Sequence, residues 1–166
     1  MTRLRLRTAE ADDIAFVMST ERVPGHERFI GQWTEDQHRD AMAVGSNRYL
    51  LGVEVEQPVG FAILRELDNS HGNAYLQRIA VPKQGVGRAL LVAVTDWVFR
   101  ETSAHRMWFH MAGDNDRAHR VYQGLGFTLE GRLRESRLRA DGSRGDALIF
   151  SMLRAEWPSP SASATT

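Results

Sequence analysis

The stretch from Tyr75 to Glu101 constrains the fold more than any other. Tyr75-Leu-Gln-Arg-Ile-Ala-Val81 is short, mostly apolar and rich in aromatic and β-branched residues, which suits a strand. From Arg88 to Glu101, Leu90, Val94, Trp97 and Val98 recur at helical spacing, with Arg88, Asp96 and Arg100 elsewhere. Between the two lies a tight turn, Pro82-Lys-Gln-Gly-Val-Gly87. A strand, a Gly-x-Gly turn and a helix start together make an anion site. First-turn N–H groups have no partner inside a helix, and the helix dipole is positive there. Gly85 and Gly87 would let phosphate oxygens approach the backbone with no Cβ in the way, so the turn reads as a pyrophosphate cradle. The same spacing also serves ordinary strand-to-helix turns. It is not the dinucleotide fingerprint, whose third glycine would stand at Leu90. Nor is it a P-loop, since no Gly-Lys-Ser/Thr follows.

The 166 residues suit one domain, expected over 1–157, with a Pro-, Ser-, Ala- and Thr-rich tail at 158–166 expected to be disordered. Acidic and basic residues number 21 each, a balance that argues against nucleic acid as a partner. The basic run from Arg132 to Arg144 reads as a solvated strand face. There is no cysteine, hence no disulfide framework, thiolate metal site or cysteine nucleophile. The start alternates charge without an apolar centre, unlike a signal peptide, and no run of about 18 apolar residues could span a membrane. A cytoplasmic location is the expectation. The six histidines show no metal-ligand spacing, and no Gly-x-Ser-x-Gly elbow occurs.

Along the chain, Arg3 to Arg7 alternates as a half-buried strand. Thr8 offers a cap for a helix carrying Ile14, Phe16, Val17 and Met18. Glu21 to Trp33 mixes turn residues, aromatics and titratable groups with no clean period, as a plain connector or a segment over a pocket would. Thr34 and Gln37 form a capping-box pattern for a helix to Val44. Strands follow over Arg48–Glu56 and Val59–Leu67, with a turn at Gln57-Pro58. Gly60 suggests close packing. After the central unit come a strand over Arg106–Met111, a helix over Asp116–Gly124 closed by Gly126, and strands over Phe127–Arg139 and Ala147–Leu153 around an Asp141-Gly142 turn. The order predicts an α/β mixed sheet with a parallel pair at its centre.

A second constellation, Asn115-Asp-Arg-Ala-His-Arg-Val-Tyr-Gln-Gly-Leu-Gly-Phe127, sets Asn115, Ala118, Tyr122 and Leu125 near one helix face. With the glycine turn it resembles the GNAT N-acetyltransferase superfamily. Gly85-Val86-Gly87 fits that family's Gln/Arg-x-x-Gly-x-Gly/Ala pattern, although Pro82 takes the first position. Asn115, Ala118, Tyr122, Gly126 and Phe127 match its Asn-x-x-Ala-x-x-x-Tyr-x-x-x-Gly-Phe pattern. Glu130 to Arg134, Asp141-Gly142 and the closing strand look like the branch of ribosomal-protein-alanine and spermidine acetyltransferases. The resemblance covers Arg3 to Trp157.

The resemblance implies an α+β fold: a mixed, mostly antiparallel sheet of about seven strands with a central splayed parallel pair, flanked by about four helices. It implies acetyl-CoA held between the splayed strands, with the pantetheine arm on the backbone of Ile79, Ala80 and Val81. The pyrophosphate would lie on the N–H groups of Gln84, Gly85, Val86, Gly87, Arg88 and Ala89. Asn115, with Ala118 beside it, would meet the pantetheine, and Tyr122 would protonate the departing thiolate. The acceptor would be a small primary amine or a peptide N-terminus, and a homodimer is common in such a family. The base is open between His110, which stands five residues before Asn115, Glu21, His26 and a water path. Glu21, His26, Trp33 and Arg134 are the candidates for the acceptor pocket. Two competing readings remain: a non-catalytic acyl-CoA-binding or regulatory domain on the same fold, and an unrelated nucleotide-binding α/β protein.

Overall fold

The computed structural model describes residues 4–158. The strand start expected at Arg3 and the tail from 159 to 166 lie outside these residues. Seven strands are present: β1 (Arg5–Thr8), β2 (Arg48–Glu54), β3 (Gln57–Arg65), β4 (Asn73–Ala80), β5 (Arg106–Ala112), β6 (Thr128–Leu138) and β7 (Arg144–Leu153). They form one sheet in the order β1-β2-β3-β4-β5-β7-β6. Only β4 and β5 run parallel; every other neighbouring pair is antiparallel. The parallel pair is joined by α3 (Gly87–Glu101), as a crossover must be. The other helices are α1 (Ile14–Glu21), α2 (Glu35–Ala43) and α4 (Asp116–Gly124). Among the described residues, no helix is long and apolar enough to cross a membrane.

Apolar residues sort onto the two sheet faces by strand alternation. On one face Leu64, Leu76, Met107 and Phe150 of the sheet pack with Leu90 and Val94 of α3. Under α1 and α2 lie Val17, Tyr49, Leu51, Phe61 and Ile63. Gly52 and Gly60 face each other across β2 and β3 and leave a dent that Leu90 of α3 fills. Leu90 is fully buried, a contribution of about 1.5–3 kcal/mol for such a side chain. This contact fixes the height at which the first turn of α3 sits over the sheet. The far end of α3 is clasped by the chain's last described turn. The Arg154 guanidinium donates to the carbonyls of Phe99, Thr102 and Ala104, and Trp157 Nε1 donates to Asp96 at 2.6 Å.

Two local expectations shift. The β2–β3 hairpin turns at Val55 and Glu56, both with positive φ, so Gln57 and Pro58 already belong to β3. Pro58 is tolerated because it lies beyond the reach of β4, whose pairing with β3 ends at Phe61. Thr8 ends β1 and does not cap a helix; a short 3₁₀ turn over Ala11–Asp13 precedes α1, and Asp13 accepts from the Glu10 N–H. The capping box at Thr34 and Gln37 is present in both directions.

A Cβ at Gly60 would stand 2.8 Å from Leu90 and Val81 and 2.9 Å from the Ala80 carbonyl oxygen, whereas at Gly52 the close atoms are side-chain ends alone. Gly60→Ala is therefore expected to lower stability by about 1–3 kcal/mol and Gly52→Ala by less, read from urea midpoints. Equal losses at the two positions would show that the backbone contact at Ala80 does not matter.

Candidate active site

Pairing between β4 and β5 lasts three residue pairs, Asn73 with Arg106, Ala74 with Met107 and Tyr75 with Trp108. Beyond Tyr75 the strands separate although both continue, β4 to Ala80 and β5 to Ala112. Each stays fixed to its outer neighbour, β5 to β7 through all seven residues and β4 to β3 as far as Ala80. A register shift between Ile63 and Leu64 leaves Gln77 of β4 without an opposite residue, a bulge that bends the strand. The backbone groups of β4 that would face β5 therefore have no strand opposite them.

The gap opens into a cleft of about 640 Å³. One wall is Ile79, Ala80 and Val81; the other is Phe109, His110 and Met111. At one end lies the turn into α3. Gly85 adopts φ +113°, a region that disfavours any side chain, and nothing of the protein lies within 4 Å of where its Cβ would be. Val86 stands at the N-cap position and no side chain caps the helix, so the first-turn amides are left for a ligand. Arg88 and Arg117 line the same cleft.

Asn115 caps α4 on the cleft wall, its Oδ1 accepting from Ala118 N at 3.2 Å, and its amide hydrogens have no partner among the described residues. Tyr122, two turns into α4, packs its ring tilted against those of Phe109 and Phe150, with centroids 4.4 and 5.7 Å away. Burial pushes its phenol up to about 12, so it keeps its proton at neutral pH. Gly126 at φ +90° reverses the chain after α4, and the Phe127 N–H donates back to Tyr122 O, which locks the helix end behind the tyrosine.

On the opposite side of the cleft stand Val23, Pro24, Gly25, His26, Phe29 and Ile30, from the segment that the sequence left without a period. His26 lines the cleft with its Nδ1 2.7 Å from Thr20 O. His110 also lines it, with Nε2 2.8 Å from the Tyr75 hydroxyl. Burial, helped by the positive charge of Arg137, lowers the His110 pKa, so the ring is neutral at pH 7.

Three expected acceptor-side residues are elsewhere. Glu21, expected as a base or pocket residue, closes α1 and is fully buried. Its carboxylate pairs with Arg78, lies 3.2 Å from His38 Nε2 and accepts from Trp33 N. His38 is bonded in turn to the Tyr49 hydroxyl at 3.0 Å. Trp33 does not line the cleft; it lies under the Arg78 guanidinium, 4.6 Å from ring centroid to Cζ. Arg134 is exposed on β6, because an irregularity between Leu133 and Arg137, with Glu135 at φ +51°, turns Arg137 inward instead. Arg137 donates to Phe29 O. The sequence reading missed Gln77 and Arg78, although a charged residue inside an apolar strand was visible there.

Burial alone would raise the Glu21 pKa; the His38 hydrogen bond and the Arg78 charge outweigh it and hold the carboxylate below its usual range. The stability so gained is complete above the unfolded value of about 4.3 and is lost as pH falls through the lower folded value. Glu21→Gln is expected to cost about 3–5 kcal/mol at pH 7, by leaving Arg78 buried without its counter-charge. It should also flatten the decline in stability below about pH 4, measured as urea midpoint against pH. An unchanged acid decline would remove Glu21 as its source.

A family model described as the Acetyltransferase (GNAT) family matches residues 16–127. A curated relative, the spermidine N(1)-acetyltransferase of Vibrio cholerae serotype O1, is 23% identical over 148 residues, covering 81% of this chain and 84% of its own. Among solved structures, the spermidine N-acetyltransferase of Vibrio cholerae in complex with CoA and spermine superposes with a TM-score of 0.82 at 20% identity, over 93% of this chain and 97% of that one. A variant of the same enzyme gives 0.82 at 21% identity, over 96% and 98%. The structural likenesses establish the fold, including the mixed seven-stranded sheet. The family match spans more than half of the sequence, and on it the chain belongs to the GNAT acetyltransferases, as an N-acetyltransferase that draws its acetyl group from acetyl-CoA.

Proposed function

We propose that this protein transfers the acetyl group directly to the primary amine of a small acceptor, within the cleft where β4 and β5 part. The observation that carries the reading is the pairing of two features across one gap: uncapped first-turn amides beside Gly85 at one end, and a buried, protonated phenol at Tyr122 within it. The Gln84–Ala89 turn holds the pyrophosphate on backbone N–H groups, with Arg88 and Arg117 adding charge. The unpaired edge of β4 at Ile79, Ala80 and Val81 takes the pantetheine as a further strand would be taken. The free Asn115 amide hydrogens serve the same arm.

Acetyl-CoA supplies the acyl carbon and a thiol leaving group. The acceptor nitrogen forms a bond to that carbon as the carbon–sulfur bond breaks. His110, neutral at pH 7, takes the amine proton; with Nε2–H given to the Tyr75 oxygen, Nδ1 is left as the base. A backbone N–H on the open edge of β4 stabilises the developing oxyanion. Tyr122 gives its proton to the sulfur. Its high pKa suits an acid and rules it out as the base. The acceptor enters past His26, Phe29 and Ile30.

Tyr122→Phe keeps the ring packing and is expected to lower kcat by about 10²-fold or more while KM for acetyl-CoA holds, in a thiol-release assay. Undiminished kcat with chemistry rate-limiting would remove the acid role. His110→Gln should lower kcat similarly. Arg137→Gln takes away a positive neighbour, so the His110 limb of the kcat/KM profile should move to higher pH. A limb that stays put would exclude His110 as the titrating base.

A further inference from the structure

We infer that the acceptor is an α-amino carboxylate, recognised through its amine by Gln77 and through its carboxylate by Arg78. The inference rests on the acetyltransferase reading above and narrows its substrate. Three observations carry it.

The first is the charge of the acceptor end. Among the described residues, none lining the cleft is Asp or Glu. Glu21 is sealed behind Arg78. The adjoining outer hollow does contain acids, two paired with arginines and two bonded to neutral donors. Asp114 meets Arg139 at 3.1 Å, Asp146 meets Arg132 at 2.8 Å, Asp141 accepts from Ser143 and Glu27 accepts from Gly25 N. Arg28 and Arg137 line that hollow as well. Within the cleft itself an acceptor bearing several ammonium groups would meet no carboxylate, whereas an acceptor bearing an anion finds Arg78.

The second is Arg78 itself. It is 7% exposed yet lines the cleft. Nη1 donates to Glu21, Trp33 stacks on the guanidinium face, and Gly31 leaves room beside Nη2. Among the described residues, no other protein group takes its remaining N–H donors. A guanidinium has five, in a planar fork that matches a carboxylate. Glu21 and Trp33 therefore hold one edge and one face, and the remaining donors are preorganised for a ligand.

The third is Gln77, the residue that the β4 bulge leaves without an opposite number. It lines the cleft beside Arg78, and its side-chain oxygen is buried with no hydrogen-bond partner. A buried acceptor without a donor carries a cost of about 1–3 kcal/mol, which an N–H of the incoming amine would remove. At the bulge Gln77 and Arg78 line the same cleft as neighbours, an acceptor beside a set of donors, as an amine and a carboxylate on one carbon require.

The test uses the full chain and acetyl-CoA, with thiol release as readout. Each common amino acid is compared with its own C-terminal amide, and spermidine and spermine are run beside them. Calorimetric binding of CoA is the separate check on the underlying reading. The expected result is a kcat/KM for at least one amino acid about 10–100-fold above that of its amide, with the polyamines lower still. Arg78→Gln combined with Glu21→Gln, which avoids a stranded buried charge, should abolish that preference through KM and leave CoA binding intact. Amides or polyamines used as well as the amino acids, or no amino acid turned over while CoA binds, would overturn the inference and leave the family reading standing. Loss of CoA binding by the unaltered protein would overturn both.

Discussion

The architecture depends on a parallel strand pair that is allowed to fail. Three residue pairs join β4 to β5, and then the ladder stops while each strand remains held from outside. Exposed ladder groups inside a protein are costly unless something pairs with them. Here the gap is kept open by the antiparallel partners on either side and by the kink at Gln77. The molecule thus carries a row of β4 backbone groups with no strand opposite them. The glycine turn into α3, the Asn115 cap and the Tyr122 ring all stand around that row.

The buried charges beneath the cleft form the second constraint. Glu21, Arg78, His38 and Tyr49 make one connected network on the face covered by α1 and α2. Apolar packing of the same volume often stabilises as much as such a network, so its chief effect here is on geometry. It ties the end of α1 to the middle of β4, so the irregular segment after Glu21 is anchored where it borders the cleft.

How far the site could be read from the chain alone varied with the kind of signal. The turn at Gly85 and the helix from Asn115 to Phe127 were legible because their chemistry is local: a positive φ, a cap, a helical spacing. The parallel pair followed from the strand–helix–strand order. Glu21 and Trp33 were misjudged because a segment without period gives no sign of which side chains turn inward. Glu21 is in fact the last residue of α1, and its partner Arg78 lies 57 positions away in sequence. Arg134 failed for a different reason. One irregularity in β6 changes which residues face the cleft, and strand alternation cannot foretell it. The Val55–Glu56 turn was missed because neither residue is one that positive φ normally selects.

The clasp on the far end of α3 has an effect beyond holding the chain's last turn in place. Arg154 sets a cation against the carbonyl end of a 15-residue helix whose amide end faces the cleft. Helix and clasp therefore act as an axle with a stop at one end and Leu90 as its keyed collar. Lengthwise drift of the cleft-facing amides is checked by Arg154 and Trp157, far downstream in the chain.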